Sequence, residues 1–441
     1  MHRSGEEGMQ KNRIDIITLG CSKNLVDSEK LMKQFSELGY KVCHDSDDVR
    51  GETVIINTCG FIGDAKEESV NMILQFAEAK ALGRIKRLYV MGCLSERYMN
   101  ELKGEIPEVD GYFGKFDWQA IITSLSGKYD ESIAYKRVLT TPSHYAYLKI
   151  SEGCNRMCAY CAIPIITGRY KSRTMESIVR EAEYLVSGGV TELQLIAQDL
   201  TYYGTDIYGK PKLAELITRI SDIEGLRWLR LHYAYPADFP YDILPVMASR
   251  PNICKYLDIA LQHISDGVLS RMLRHVTKTG TYELISRIRR EVPGIHLRTT
   301  LMVGFPGETD AEFEELMQFV KDVRFERMGA FEYCEEEGTF SARHYKDDVP
   351  PEVKSERLQK IMSLQEQISE EVNIAKTGQE LLAVIDRVEG DYYVARTEYD
   401  SPEVDPELLI KRTSAELKTG EYYKVRITGA APYELYGEAL L

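Results

Sequence analysis

No apolar run in the chain approaches the roughly 20 residues that a bilayer-crossing helix needs. The first twelve residues, MHRSGEEGMQKN, have no apolar core, so they do not read as a secretory signal; residues 1–12 are expected to be a disordered leader, with Met9 an alternative start. Basic residues are in deficit: the net charge is -14 and the pI about 5.3. That balance excludes a chain holding nucleic acid chiefly by neutralising phosphates, and it suits a basic partner instead. Low-complexity tracts and solenoid repeats are missing too. Cysteine is scarce, with nine among 441 residues. These lacks imply a cytoplasmic protein with no membrane partner, and in that compartment spaced cysteines more often mean metal than disulfides. Hydrophobic residues make up 44% of the chain, ample for sizeable cores, and the length predicts about two to four domains.

Three of the nine cysteines fall within eight residues. Cys154, Cys158 and Cys161 form C-x-x-x-C-x-x-C inside YLKISEGCNRMCAYCAIPIITGRYKS (147–172), with Tyr160 beside the last thiol. A structural zinc takes four ligands, and no histidine follows at ligand spacing. Three thiolates are a meaningful count for a cubane iron–sulfur cluster, because they hold three irons and leave the fourth open to an outside ligand. Chance clustering is a poor rival when cysteines are so few. The run resembles the signature of the radical S-adenosylmethionine (SAM) superfamily, down to the aromatic Tyr160. That resemblance implies that the open iron chelates the amino and carboxylate groups of SAM. Reduction of the cluster would then split SAM into methionine and a 5'-deoxyadenosyl radical.

Residues 13–125 read as an α/β domain built on a repeated unit. IDIITL (14–19) leads to Gly20-Cys21 and a helix over 27–38; TVIIN (53–57) leads to Thr58-Cys59 and a helix from Asp64; RLYVM (87–91) leads to Gly92-Cys93 and a helix from about Ser95. Strand–helix–strand units make a parallel sheet whose strand ends share one edge. Cys21, Cys59 and Cys93 occupy the same slot in consecutive units, so topology alone predicts that they converge as a second three-thiolate site. Singly, each would read better as a small buried residue.

Residues 126–143 turn polar and read as a linker. Six further units follow over 144–372, with strands AYLKIS, ELQLIA, WLRLHY, YLDIAL, HLRTTLMV and MGAFEY. Six is short of the eight of a closed TIM barrel, which predicts an open, partial (β/α)6 barrel. Working residues in such barrels sit at the carboxyl ends of strands. Candidates for cofactor contact are Tyr160, Gly188, Gly189, Gln198 and Arg298, with His232 and His263 behind them. Gly188-Gly189 also reads as a helix C-cap, GFPGETDAE (304–312) as a tight turn with a capping box, and Arg298 as the partner of a carboxylate such as Glu332.

From 373 to 441 the period changes to five short runs rich in β-branched and aromatic residues, which predicts a small antiparallel, OB-like barrel. Such barrels often bind nucleic acid, but this one holds 8 Lys and Arg against 13 Asp and Glu. That sign disfavours a polyanion, so nucleic acid is not expected as the primary substrate.

With both cysteine sets and the small terminal barrel, nearly the whole chain resembles the methylthiotransferases of the radical SAM superfamily. The resemblance implies a second 4Fe-4S cluster on Cys21, Cys59 and Cys93, a radical SAM core around Cys154, Cys158 and Cys161, and a C-terminal TRAM domain. GCSKNLVDSE (20–29), RTTLMVGFPGET (298–309), GAFEYCEEEGT (329–339) and SPEVD (401–405) are similar to the RimO-type branch, which modifies an aspartate of the small-subunit ribosomal protein S-twelve; the alternative branch modifies adenosine in transfer RNA. One departure is Cys334, where that branch suggests serine; Cys43 and Cys254 match no ligand position. The resemblance implies two uses of SAM, as methyl donor and as radical source, and an electron donor. An unactivated C–H bond needs no conventional general base, and no catalytic acid or base is assigned.

Overall fold

The computed structural model of the chain describes residues 9–61, 63–412 and 416–440. The expected leader over residues 1–8 lies outside them. Residues 10–12 do not belong to a leader, because the first strand begins at Gln10. Contacts divide the chain into two compact units: residues up to Thr141 with 152–155 and 162–170, and 142–151 with 156–161 and 171–441. Among the described residues no helix is long and apolar enough to cross a membrane.

The first unit holds a parallel sheet of β1 (Gln10–Thr18), β2 (Lys41–His44), β3 (Gly51–Thr58), β4 (Arg87–Gly92) and β5 (Gly111–Tyr112), in the order β2-β1-β3-β4-β5. Both faces of these strands are buried, as a parallel sheet requires. Ile14, Ile16 and Ile55 pack with Leu31 and Phe35 on one face. Ile17, Val54, Ile56 and Val90 pack with Ile73 and Phe76 on the other. The helices are Ser22–Glu37, Gly63–Ala81, Cys93–Glu105 and Trp118–Ser126. The first three start earlier than the sequence predicts, and Cys21 and Gly92 cap the first and third without a side-chain hydrogen bond to announce the start. The polar stretch expected to be a linker is tied to the first helix: Arg137 pairs with Glu29 at 3.2 Å and Thr140 N–H donates to Glu29 Oε1 at 2.8 Å.

The second unit begins with six parallel strands in sequential order, β6 (Tyr145–Lys149), β7 (Glu192–Ile196), β8 (Trp228–Ala234), β9 (Ile253–Ile259), β10 (His296–Val303) and β11 (Arg327–Glu332). The predicted open six-stranded arrangement is what forms. Its helices are capped as the local chemistry directs: Thr174 accepts from Ser177 N–H ahead of Met175–Ser187, and Thr309 with Glu312 forms a full capping box ahead of Asp310–Val323. The unit ends in a closed barrel of β12 (Glu380–Glu389), β13 (Tyr392–Thr397), β14 (Glu407–Lys411), β15 (Tyr422–Ala431) and β16 (Glu434–Leu440). This barrel is not purely antiparallel. Strands β14 and β16 run parallel, because β15 lies between them in sequence and pairs with β12 to close the ring.

Candidate cluster sites

Strand register decides where the first unit puts its chemistry. Thr18 pairs with Asn57, Thr58 with Gly92, and Val90 with Tyr112. Counting outward from those rows, Cys21, Cys59, Cys93 and Lys115 all emerge at the carboxyl ends of their strands, and Cys93 and Lys115 stand level. Each cysteine is flanked by a glycine that the packing requires. A Cβ on Gly20 would lie 2.8 Å from the Cys59 Cβ; one on Gly60 would lie 2.7 Å from the Leu94 nitrogen; one on Gly92 would lie 2.5 Å from both Asn57 Oδ1 and the Thr58 carbonyl. The glycines let three thiol-bearing loops approach one another, which is the cradle that a three-thiolate cluster needs.

Asn24 is the hub of this edge. Its amide donates to the carbonyls of Leu19 and Thr58 at 3.0 and 3.1 Å, bolting the ends of β1 and β3 together. Its Oδ1 accepts from Lys115 Nζ at 3.2 Å and lies 3.7 Å from Cys93 Sγ. The Lys115 ammonium is buried between Asp27 and Glu152, each at 3.7 Å. Burial alone would lower its pKa, but the carboxylates of Glu152 and Asp27 outweigh it and hold the amine protonated. Burial likewise pushes the Cys93 thiol up to about 11 and raises Cys59. At Cys21 desolvation is overcome by Lys23, Lys115 and two backbone N–H groups, so that thiol is lowered. Cys21 is the N-cap of the first helix and Cys93 the first residue of the third, so helix N-termini add positive potential. Among the described residues no three His, Cys, Asp or Glu side chains close on one point as a single metal ion demands. A cubane is bound at separate corners by separate thiolates, and thiols are the donor type it takes.

Cys154 lies in the first unit, where Gly153 (φ +78°) brings the chain hard against the Arg169 carbonyl and Cys154 N–H donates to the Gly168 carbonyl at 3.2 Å. Cys158 and Cys161 lie in the second, joined by a Cys161 N–H to Cys158 carbonyl bond of 3.0 Å. Cys158 packs with Tyr235 and Ala237, and Arg274 Nη1 donates to its Sγ at 3.5 Å. Arg156, also in the cysteine loop, pairs with the buried Asp199 at 2.9 Å, just past the carboxyl end of β7.

The candidate SAM contacts divide. Tyr160 stays beside the loop; its hydroxyl accepts from Arg274 at 3.2 Å and its ring meets Phe305 edge-on. Gln198 follows β7 at the carboxyl edge, next to Asp199. Gly188 and Gly189 do not: Gly188 N–H donates to the Tyr184 and Leu185 carbonyls as a helix C-cap, and both residues precede β7 at its amino end, opposite the cysteine loop. Arg298 is also misplaced for a cofactor. It is the third residue of β10 and is paired with Asp258 at 3.3 Å and Asp405 at 3.4 Å, not with Glu332. His232 lies inside the sheet, bonded to Gln194 at 2.6 Å, and His263 Nδ1 accepts from Ser265 N–H at 3.1 Å. Cys254 is core, packed with Trp228 and Tyr256; Cys43 lies in β2, and Cys334 is exposed. A surface cavity of about 580 Å³ lined by Val179, Glu183, Arg219 and Asp222 lies on outer helices and includes none of the candidate residues.

Residues 13–114 match Uncharacterized protein family UPF0004, 148–320 the Radical SAM superfamily, and 377–440 the TRAM domain. Among curated proteins the chain is similar to "Ribosomal protein uS12 methylthiotransferase RimO" of Phocaeicola vulgatus, 62% identical over 98% of this chain and 100% of that one. The protein of the same name from Porphyromonas gingivalis is 64% identical over 97% and 99%, and that from Bacteroides thetaiotaomicron 61% over 98% and 99%. Among solved structures, the radical S-adenosylmethionine methyltransferase TsrM from Kitasatospora setae, with tryptophan and a SAM analog bound, superposes with a TM-score of 0.54 over 72% of each chain at 15% identity. The cobalamin-dependent S-adenosylmethionine radical enzyme OxsB gives 0.52 over 79% of this chain and 56% of that one at 12% identity. These two share the fold.

Proposed function

The chain belongs to the RimO family of ribosomal protein uS12 methylthiotransferases, and from that premise we propose that it inserts a methylthio group at the β-carbon of an aspartate of that ribosomal protein, using SAM. The observation that carries the reading is the convergence of Cys21, Cys59 and Cys93 at one strand edge, each loop seated by its own glycine. Cys21, Cys59 and Cys93 would hold a cluster with which the sulfur to be methylated is associated, and Cys154, Cys158 and Cys161 would hold a second, which would supply the electron that splits SAM.

The protein's own residues do the holding. Lys115 and Asn24 set charge and hydrogen bonding around the first thiol trio, and Asp27 and Glu152 keep the lysine protonated. Beside the second, Tyr160 and Gln198 remain candidates to line SAM. The domain reading is a sulfur-handling domain over 13–125, a radical SAM core over 144–372 and a TRAM barrel from 373, whose acidic balance suits a basic ribosomal protein in the cytoplasm.

Anaerobic protein incubated with SAM, a reductant and either purified uS12 or transfer RNA tests the reading by mass spectrometry. The expected result is a methylthio mass increment on the aspartate-containing peptide; an increment on RNA alone overturns it. Cys154→Ala is expected to abolish SAM cleavage. Cys21→Ala is expected to spare cleavage and stop sulfur insertion.

A further inference from the structure

Arg274 is 2% exposed, yet no carboxylate pairs with its guanidinium among the described residues. A buried cation without an anionic partner is expensive, so its surroundings need a reason. Nη2 donates to the Ala260 carbonyl, Nη1 to the Tyr160 hydroxyl at 3.2 Å, and the plane lies 4.3 Å from the centre of the Tyr235 ring. All of these partners are neutral. The remaining contact is Nη1 to Cys158 Sγ at 3.5 Å, and Nε–H is buried with no partner among the described residues. Among the described residues, its one contact of the donor type a cluster takes is Cys158 Sγ.

The backbone is bent to hold it there. Leu273 (φ +56°) and His275 (φ +55°), on either side of Arg274, both adopt the left-handed region that disfavours a side-chain-bearing residue. Such strain persists where neighbours over-determine it. Arg274 N–H donates to the Leu269 carbonyl at 3.0 Å, and the Tyr235 hydroxyl donates to the Arg274 carbonyl at 2.9 Å.

We propose that Arg274 is a positioning residue that tunes the radical SAM cluster: its N–H bond to the Cys158 thiolate and its buried charge raise that cluster's reduction potential. A donor to a ligating sulfur withdraws electron density, and a fixed cation favours the more negative, reduced state. Tyr235 clamps Arg274 through the Arg274 carbonyl, and the Tyr235 hydroxyl also lies 3.6 Å from Cys158 Sγ. The proposal rests on Cys158 ligating a cluster, as the proposed function has it.

The test is a spectroscopic redox titration in a background where Cys21, Cys59 and Cys93 are alanine, so that one cluster remains. A parent protein that binds no iron would sink the cluster reading, and this inference with it. With iron bound, Arg274→Met is expected to cut the reduced-to-oxidised ratio at a fixed solution potential at least tenfold, about 59 mV for one electron. Arg274→Lys, which keeps charge but loses the planar fork, is expected to fall between. A full iron complement in Arg274→Met with an unchanged midpoint overturns the proposal. If that variant holds no iron, Arg274→Lys decides: a smaller shift in the same direction supports the assignment, and an unmoved midpoint overturns it.

Discussion

Lys376 is the residue most at odds with its surroundings. It is 5% exposed, its Nζ has no hydrogen-bond partner among the described residues, and burial lowers its pKa to about 8 despite the nearby Asp400. The unfolded chain keeps that proton up to about 10.4. Between the two values the unfolded state binds more protons, so stability should rise with pH across that window. Lys376→Met should remove the rise and add about 1–2 kcal/mol near neutrality by deleting an unsatisfied buried group. Urea unfolding at pH 7 and pH 9.5 checks both; a destabilised variant would mean that the amine has a partner worth keeping. At this scale the thiols were legible in the sequence and their helpers were not. Three cysteines repeat one slot after three strands, which is a pattern in one dimension. Asn24 and Lys115 join them only through register, and β5, which delivers Lys115, is two residues long. Gly188-Gly189 misled for the opposite reason: helix C-caps and ligand loops both favour glycine, and only the strand end tells them apart.

Among the elements, the loops after β1, β3 and β4 matter most, because their glycines set how closely the thiols approach. Gly92 has φ +101°, and its missing Cβ would press on the Thr58 nitrogen and carbonyl, neither of which can move without breaking the β3–β4 pairing. Gly92→Ala is therefore expected to cost about 2–3 kcal/mol and to spread Cys59 from Cys93. Iron analysis in a Cys154→Ala background should show the remaining cluster lost. Retention of full iron would show that the cradle tolerates the shift. The three long strands of the first sheet were read from sequence because buried parallel strands are continuous apolar runs, whereas the short β2 and β5 carry no such run and were not. Helix starts were read less well, since Cys21 and Cys93 open helices without a side-chain cap to announce them.

At the largest scale, the acidic C-terminal barrel is fastened to the amino-terminal ends of the six-stranded sheet by buried charge. Arg396 of the barrel reaches Glu192 of the sheet at 2.8 Å and Arg327 of the sheet reaches Asp400 at 2.5 Å, while Asp386 at 2.6 Å holds Arg396 from within the barrel and Arg230 at 3.1 Å holds Glu192 from within the sheet. The SPEVD segment, chosen from sequence only as a family marker, supplies more of the seam: Glu403 accepts from Tyr145 and Tyr147, and Asp405 from Tyr256. Burial works against ionisation at Asp400, Asp386 and Glu192, but the arginines overcome it and lower all three. Carboxylates lowered in the fold stabilise it above their unfolded values near 4 and lose that contribution as pH falls through the folded ones. Denaturant midpoints should thus hold level down to about pH 5 and then fall steeply. Asp400→Asn leaves Arg327 buried without its carboxylate and should cost about 3–5 kcal/mol at pH 7, with a shallower acid slope because one titrating group is gone. If the variant matched the parent at every pH, the seam would be held by its apolar contacts, and the buried ion pairs would merely fix which faces meet.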